Sequence, residues 1–110
     1  IDEFTETTSR GIELVFGEHA LSKKLKVSGT KSMTGHLLGG AGGLEAGITV
    51  LALQNQMLPP TTNLVEVDPE CQLDYVPNVA VPHSFDVALS NSFGFGGQND
   101  SIIIRRLPPV

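Results

Sequence analysis

The sequence predicts an α/β fold that is only part of a larger architecture. Apolar residues recur at helical spacing in the first half of the chain, whereas polar and apolar residues alternate near its end, as they do in strands. The second predicted helix is apolar or small on every side and therefore needs cover all round. The remainder of the 110 residues is too small to supply that cover. We therefore expect the end of a larger α/β protein.

The first predicted helix runs from about residue 3 to residue 16, and Gly17 ends it. Its apolar stripe consists of Phe4, Thr8, Ile12, Val15 and Phe16. A short strand at 26–28 follows and opens into a loop from Gly29 to His36.

The second predicted helix begins near Leu37 and is ended by Pro59 and Pro60. Its stripe consists of Leu37, Ala41, Leu44, Ile48 and Leu51. Residues 59–84 hold five of the seven prolines and no clear period, which predicts a long surface excursion with a brief strand at 73–76.

A hairpin is predicted near the end of the chain. Phe85, Val87 and Leu89 alternate with polar or small residues, which is typical of a strand with one buried face. A glycine-rich turn follows, and then a β-branched run at 101–104.

Composition excludes several classes of function. A net charge of −5 argues against a surface for nucleic acid or for an anionic membrane, and no apolar run is long enough to span a bilayer. No nucleotide-binding motif or metal-ligand spacing is present, so we expect neither cofactor nor metal. Cys71 is the only cysteine, which fits a reducing, cytoplasmic setting, and its polar surroundings indicate an ordinary loop cysteine.

Lys31, His36 and Glu45 are the candidate catalytic residues. Glu45 is the only ionisable residue from 37 to 53, and a lone carboxylate in an apolar helix needs a cation from elsewhere. Lys31 can fold back to supply it. His36 precedes a helix N-terminus, which favours a neutral ring that donates one N–H to an oxyanion. A structural histidine is the alternative.

Glycines mark two further features. Five lie between Gly39 and Gly47, where close packing or an anion at the helix start could require them. In the hairpin turn, glycines flank Phe95 and follow Phe93, which predicts a mobile gate that offers a main-chain N–H. Two aromatic side chains that fill a core are the alternative.

Two motifs give the chain a family resemblance. They are Lys31-Ser-Met-Thr-Gly-His36-Leu-Leu-Gly-Gly and Asn91-Ser-Phe-Gly-Phe-Gly-Gly, with Leu58-Pro-Pro-Thr61 in the expected order between them. Together they resemble the elongating β-ketoacyl-acyl-carrier-protein synthases of fatty-acid synthesis. The resemblance implies that residues 1–110 are the carboxyl-terminal part of a ketosynthase domain with a thiolase-like, layered αβαβα fold.

The resemblance also implies a reaction, a decarboxylative condensation of an acyl thioester with malonyl carrier protein. His36 matches the family's second histidine, which stabilises the enolate. Lys31 and Glu45 match the active-site lysine and carboxylate, and Phe95, with Phe93 beside it, matches the gating phenylalanine. The family's nucleophilic cysteine and first histidine are expected upstream of residue 1, since Cys71 does not match the nucleophile's motif.

The implied partners are an acyl carrier protein bearing an acyl or malonyl thioester, the rest of the ketosynthase chain, and a second copy in a homodimer. Cytoplasm is the expected compartment, with a mitochondrial or plastid matrix as the alternative. Two other functions stay open. The chain could be a non-catalytic truncated or partner module that binds a carrier protein, or a segment of a polyketide-type ketosynthase.

Overall fold

Helices and two small antiparallel sheets make up the fold, in agreement with the predicted α/β class. The computed structural model describes residues 2–108, and side chains from Thr8 onward. The helices are α1 (Asp2–Phe16), α2 (Glu18–Leu21), α3 (Lys31–Thr34) and α4 (Ala41–Asn55), with 3-10 turns at Leu38–Gly40 and Phe95–Gly97. The strands are β1 (Met57–Leu58), β2 (Val81–Pro82), β3 (Val87–Phe93) and β4 (Asn99–Arg105). Strand β1 pairs with β2, and β3 pairs with β4.

Helix α1 confirms the first predicted helix, and Gly17 ends it with a positive φ of 52°. The apolar stripe is only partly covered. Ile12 is half-buried, whereas Val15 is 78% exposed. Phe4, the first residue of the stripe, lies outside the described side chains.

Helix α4 starts and ends differently from the prediction. A 3-10 turn precedes it, and it ends at Asn55 because Gln56 takes the left-handed conformation with a φ of 51°. The predicted ending at Pro59 is therefore wrong. The Gln56 side chain then fixes the helix end, because its amide accepts the Phe85 N–H at 2.9 Å and donates to the Phe85 carbonyl at 2.8 Å.

The expectation that α4 is buried all round is not met by the described residues. Only Ala41 and Leu53 are buried, while Leu44, Val50 and Leu51 are exposed. One side of α4 packs on β3 and β4. On its other sides, the side chains described by the structure do not supply the apolar cover that a helix of this composition requires.

Residues 59–84 are more than the predicted surface excursion, since they contribute part of the core. Cys71, Leu73 and Val76 are each only 3% exposed. Cys71 lies in a loop, as predicted, but its burial was not expected. Proline content does indicate irregular backbone, yet it carries no information on which side of that backbone faces inward.

The two brief strands predicted at 26–28 and 73–76 reduce to one parallel bridge between Lys26 and Asp74. The Val27 N–H donates to the Asp74 carbonyl at 2.9 Å. A second parallel bridge joins Thr61 to Pro77. These bridges bring three separate segments of the chain side by side.

Helix α1 is held to this region by a hydrogen bond of 2.7 Å between the hydroxyls of Ser9 and Tyr75. Partial burial raises the pKa of Tyr75. The hydrogen bond with Ser9 lowers this pKa and the adjacent Cys71 thiol raises it, so that the pKa is raised on balance. The thiol therefore belongs to a structural cluster beneath α1.

Asp74 pairs with Lys26 at 2.7 Å and also accepts the Val76 N–H at 3.0 Å. Partial burial alone would raise the pKa of Asp74. The hydrogen bonds from Lys26 and Val76, with the charges of Lys26 and Lys23, outweigh burial and lower the pKa below its usual 3.8.

We expect Asp74→Asn to lower the free energy of unfolding by about 1 kcal/mol at pH 7. Because the folded-state pKa is depressed, this contribution is present above the unfolded pKa and disappears as the pH falls through the folded value. Urea unfolding at pH 7 and near pH 3 measures it. Asp86→Asn is the matched control, since Asp86 is 69% exposed in its pair with Arg106. If Asp74→Asn lowered the free energy of unfolding by the same amount at pH 7 and near pH 3, the prediction would be contradicted.

The predicted hairpin is confirmed by strands β3 and β4, which are longer than expected. Their register pairs Val87 with Arg105 at the open end and Phe93 with Asn99 next to the turn. The turn is closed by a hydrogen bond of 2.7 Å from the Gly94 N–H to the Gln98 carbonyl.

Candidate active site

Residues 31–40, which comprise α3 and the loop that leads to α4, hold two of the three candidate catalytic residues. Lys31 opens α3, a four-residue helix within the region predicted to be a loop. Gly35 ends α3 with a φ of 75°, and His36 follows, two residues before the 3-10 turn. Every residue from 31 to 40 is exposed. Apolar burial within the described residues therefore does not hold this loop in place.

The predicted ion pair between Lys31 and Glu45 is confirmed. The Lys31 ammonium donates to Glu45 Oε1, and the Glu45 side chain is 12% exposed against 40% for Lys31. Glu45 lies in the second turn of α4, so the pair ties the start of the exposed loop to the helix that follows it. A carboxylate this far removed from water is costly without such a partner.

A backbone hydrogen bond selects one tautomer of the His36 ring. The Leu38 N–H donates to His36 Nδ1 at 2.9 Å. In the neutral ring, an Nδ1 that accepts this bond leaves the proton on Nε2. Leu38 takes a positive φ of 52°, a conformation that is unfavourable for leucine. His36 Nε2 is thus a hydrogen-bond donor, as an oxyanion requires.

The glycines of the second helix have different surroundings. A Cβ on Gly42 would lie 3.4 Å from Ser92 Oγ, so the first turn of α4 approaches strand β3 closely there. Gly43 and Gly47 have no such neighbour among the described residues. Close packing is therefore supported at Gly42, whereas the same explanation for Gly43 and Gly47 finds no support within this chain.

The hairpin turn presents both candidate gate residues to the outside. Phe93 is 57% exposed and Phe95 is 92% exposed, so neither fills a core built by the described residues. Gly96 and Gly97 have φ values of 77° and 78°, which a residue with a side chain rarely adopts. Since Ser92 contacts the first turn of α4, the turn and the helix start are neighbours.

Sequence reasoning missed the group that sets the His36 tautomer, because that group is a backbone N–H and leaves no signal in residue identity. It also missed the hydroxyls of Ser32 and Thr61, which bond to the backbone around the loop. Thr61 stands in the Leu58-Pro-Pro-Thr61 motif, so its place in that motif was the available signal.

Within residues 2–108, no cluster of three or more potential metal ligands is found. Nor does any helix in that range have the length and apolar character needed to cross a membrane.

Comparison with known proteins shows the family to which the chain belongs. The model of the β-ketoacyl synthase carboxyl-terminal domain matches residues 5–65. The chain belongs to the β-ketoacyl synthase family. The 3-oxoacyl-acyl-carrier-protein synthase 2 of Synechocystis sp. is 53% identical over 91% of this chain and 24% of that protein. The corresponding protein of Coxiella burnetii is 52% identical over 90% of this chain and 23% of its own length.

Solved structures show the same relationship. One of them is a polyketide ketosynthase in complex with its acyl-carrier protein and bound to a hexaketide. Its sequence is 35% identical to this chain and its structure gives a TM-score of 0.86. The match covers 92% of this chain and 24% of the ketosynthase chain. A β-ketoacyl synthase from Burkholderia phymatum is 42% identical with a TM-score of 0.73 over 76% of this chain and 21% of that one. The fold is therefore part of the thiolase-like fold. The chain spans about a quarter of the length of these relatives.

Proposed function

We propose that the full-length protein containing this chain catalyses the decarboxylative condensation of an acyl thioester with malonyl carrier protein in fatty-acid elongation. Residues 1–110 form the carboxyl-terminal part of its ketosynthase domain and contribute half of the active site. The observation that carries this proposal is the Leu38 N–H bound to His36 Nδ1, which leaves Nε2 as a donor.

In the proposed reaction, the malonyl thioester loses carbon dioxide and the electron pair of the broken C–C bond moves into an enolate. His36 Nε2–H donates a hydrogen bond to the thioester oxygen, where the negative charge develops. One preorganised donor of this kind typically contributes a factor of about 10²–10³ in rate. The enolate carbon then attacks the acyl thioester on a cysteine, and the cysteine sulfur leaves as the thiolate.

Lys31 and Glu45 form the polar element beside this donor. Their ion pair fixes the loop of His36 against α4 and keeps the Glu45 carboxylate neutralised in an apolar helix. Phe95, with Phe93 beside it, is the proposed gate and supplies a main-chain N–H for the acyl oxyanion. Their exposed rings and the positive φ values that follow in the turn are compatible with such movement.

The nucleophile of the proposed reaction is a cysteine outside residues 1–110. Cys71 is buried beside Tyr75 and does not take this role. Acyl carrier protein is the proposed partner, a homodimer the proposed assembly, and the cytoplasm the proposed compartment. Fatty-acid elongation is favoured over polyketide synthesis because the fatty-acid synthase relatives reach 53% identity, against 35% for the polyketide ketosynthase.

The proposal is tested by supplying acyl and malonyl carrier protein to the purified full-length protein and measuring the 3-ketoacyl product by mass spectrometry. We expect product from the full-length protein and none from residues 1–110 alone. The isolated chain lacks the nucleophile and leaves the apolar sides of α4 uncovered. Product from the isolated chain, or none from the full-length protein, would overturn the proposal.

A further inference from the structure

The loop of Lys31 and His36 meets the rest of the chain through hydroxyl groups. The Thr61 hydroxyl accepts the Gly29 N–H at 3.0 Å and donates to the Tyr75 carbonyl at 2.7 Å. The Ser32 hydroxyl donates to the Gly29 carbonyl at 2.9 Å and accepts the Thr62 N–H at 2.9 Å. Each hydroxyl therefore uses both its donor and its acceptor capacity.

These bonds join three segments that are distant in sequence. They link Gly29 to Thr61 and Ser32 to Thr62 at the start of the loop, and they link Thr61 to Tyr75. The Thr61 backbone adds two bonds, since its N–H donates to the Val76 carbonyl at 2.8 Å and its carbonyl accepts the Asn78 N–H at 2.9 Å. Both the backbone and the side chain of Thr61 are therefore hydrogen-bonded, so Thr61 is firmly held and in turn holds the start of the loop.

The loop depends on such bonds because all of residues 31–40 are exposed, so burial among the described side chains does not anchor them. The Lys31–Glu45 pair ties the start of the loop to α4, and the two hydroxyls tie the same part of the loop to residues 61 and 62. A hydrogen bond contributes only about 1 kcal/mol to stability, yet a shift of about 1 Å in a reacting group can cost about 10²-fold in rate.

We propose that Thr61 and Ser32 are positioning residues that set the register of the loop, and so place Lys31 and His36 for enolate stabilisation. This inference rests on the proposed condensing function. Neither hydroxyl needs to contact the substrate. Their contribution is to keep the His36 donor where the charge develops.

The test uses Thr61→Val in the full-length protein, because valine keeps the shape of threonine and removes the hydroxyl. We expect carbon dioxide release from malonyl carrier protein to fall by about 10-fold to 100-fold. Transfer of the acyl chain to the cysteine should stay within about twofold, since it does not use the His36 donor. Thr61→Ser, which retains the hydroxyl, should restore most of the decarboxylation rate.

Thr62→Val is the matched control. Thr62 is adjacent and similarly half-buried, and among the described residues only its backbone N–H takes part in the network. It should leave both half-reactions unchanged. Ser32→Ala should reproduce the selective loss seen with Thr61→Val.

Different failures have different meanings. Equal losses in both half-reactions, no rescue by Thr61→Ser, or a Thr61→Val variant as active as Thr62→Val would overturn the positioning role while the condensing function stands. An unsubstituted protein that releases no carbon dioxide from malonyl carrier protein would overturn the proposed function, and the positioning role with it.

Discussion

His36→Ala in the full-length protein is expected to suppress carbon dioxide release from malonyl carrier protein by about 10²–10³-fold, the usual effect of removing one oxyanion donor. Acyl transfer to the cysteine should persist, because that step proceeds without the malonyl enolate. The structural basis is the Leu38 N–H on Nδ1, which leaves the Nε2 proton for the substrate oxygen.

The measurement follows the two half-reactions separately, with a labelled acyl carrier protein for acylation and trapped carbon dioxide for decarboxylation. His83→Ala is the matched control, since this half-buried histidine packs against Phe85 with ring centroids 5.9 Å apart, outside the loop. If His36 were structural, its removal would depress both half-reactions together and lower the melting temperature, which would refute the catalytic role.

Breaking the Lys31–Glu45 pair should have the second-largest effect. We expect Lys31→Met to lower the free energy of unfolding by about 1–3 kcal/mol, because it leaves the Glu45 carboxylate, only 12% exposed, without its cation. Condensation should fall by about 10²-fold as the loop shifts. Glu45→Gln should destabilise less, because it leaves the charge on Lys31, which is 40% exposed.

A double-mutant cycle measures the coupling between the two side chains, with urea unfolding and product formation as the two readouts. The double variant Lys31→Met with Glu45→Gln should be more stable than Lys31→Met alone, since no unpaired carboxylate remains. Lys24→Met, at an exposed lysine outside the ion pairs of the described residues, is the control. A Lys31→Met variant as stable as this control would count against the pair.

Sequence predicted the parts of the site whose chemistry depends on residue type. Glu45 stands alone in an apolar helix, and that isolation required a distant cation, which Lys31 supplies. The hairpin could also be predicted, because the alternation of polar and apolar residues and a glycine-rich turn are local sequence signals. The catalytic roles of Lys31, His36, Glu45, Phe93 and Phe95 remain predictions.

The remaining features depend on tertiary contacts that residue type does not encode. Gln56 ends α4 in a left-handed conformation because its side chain bonds to Phe85, which is far along the chain. The proline-rich segment looked like surface, yet it turns Leu73 and Val76 inward. Hydroxyls such as that of Thr61 are common on protein surfaces, so their role became visible only with their partners in place.

The amino-acid composition of α4 also bears on the stage of folding at which this helix forms. Gly42, Gly43 and Gly47 together disfavour it by about 3 kcal/mol relative to alanine, and even alanine-rich helices of about 12–15 residues are marginal in isolation. We therefore expect α4 to form late in folding. The β3–β4 hairpin, on which α4 packs, is a local structure of a kind that closes within about 1–10 μs, and we expect it to form first. Until then, residues 41–55 are an unfolded apolar stretch, the kind of segment that chaperones bind and that aggregates when they do not.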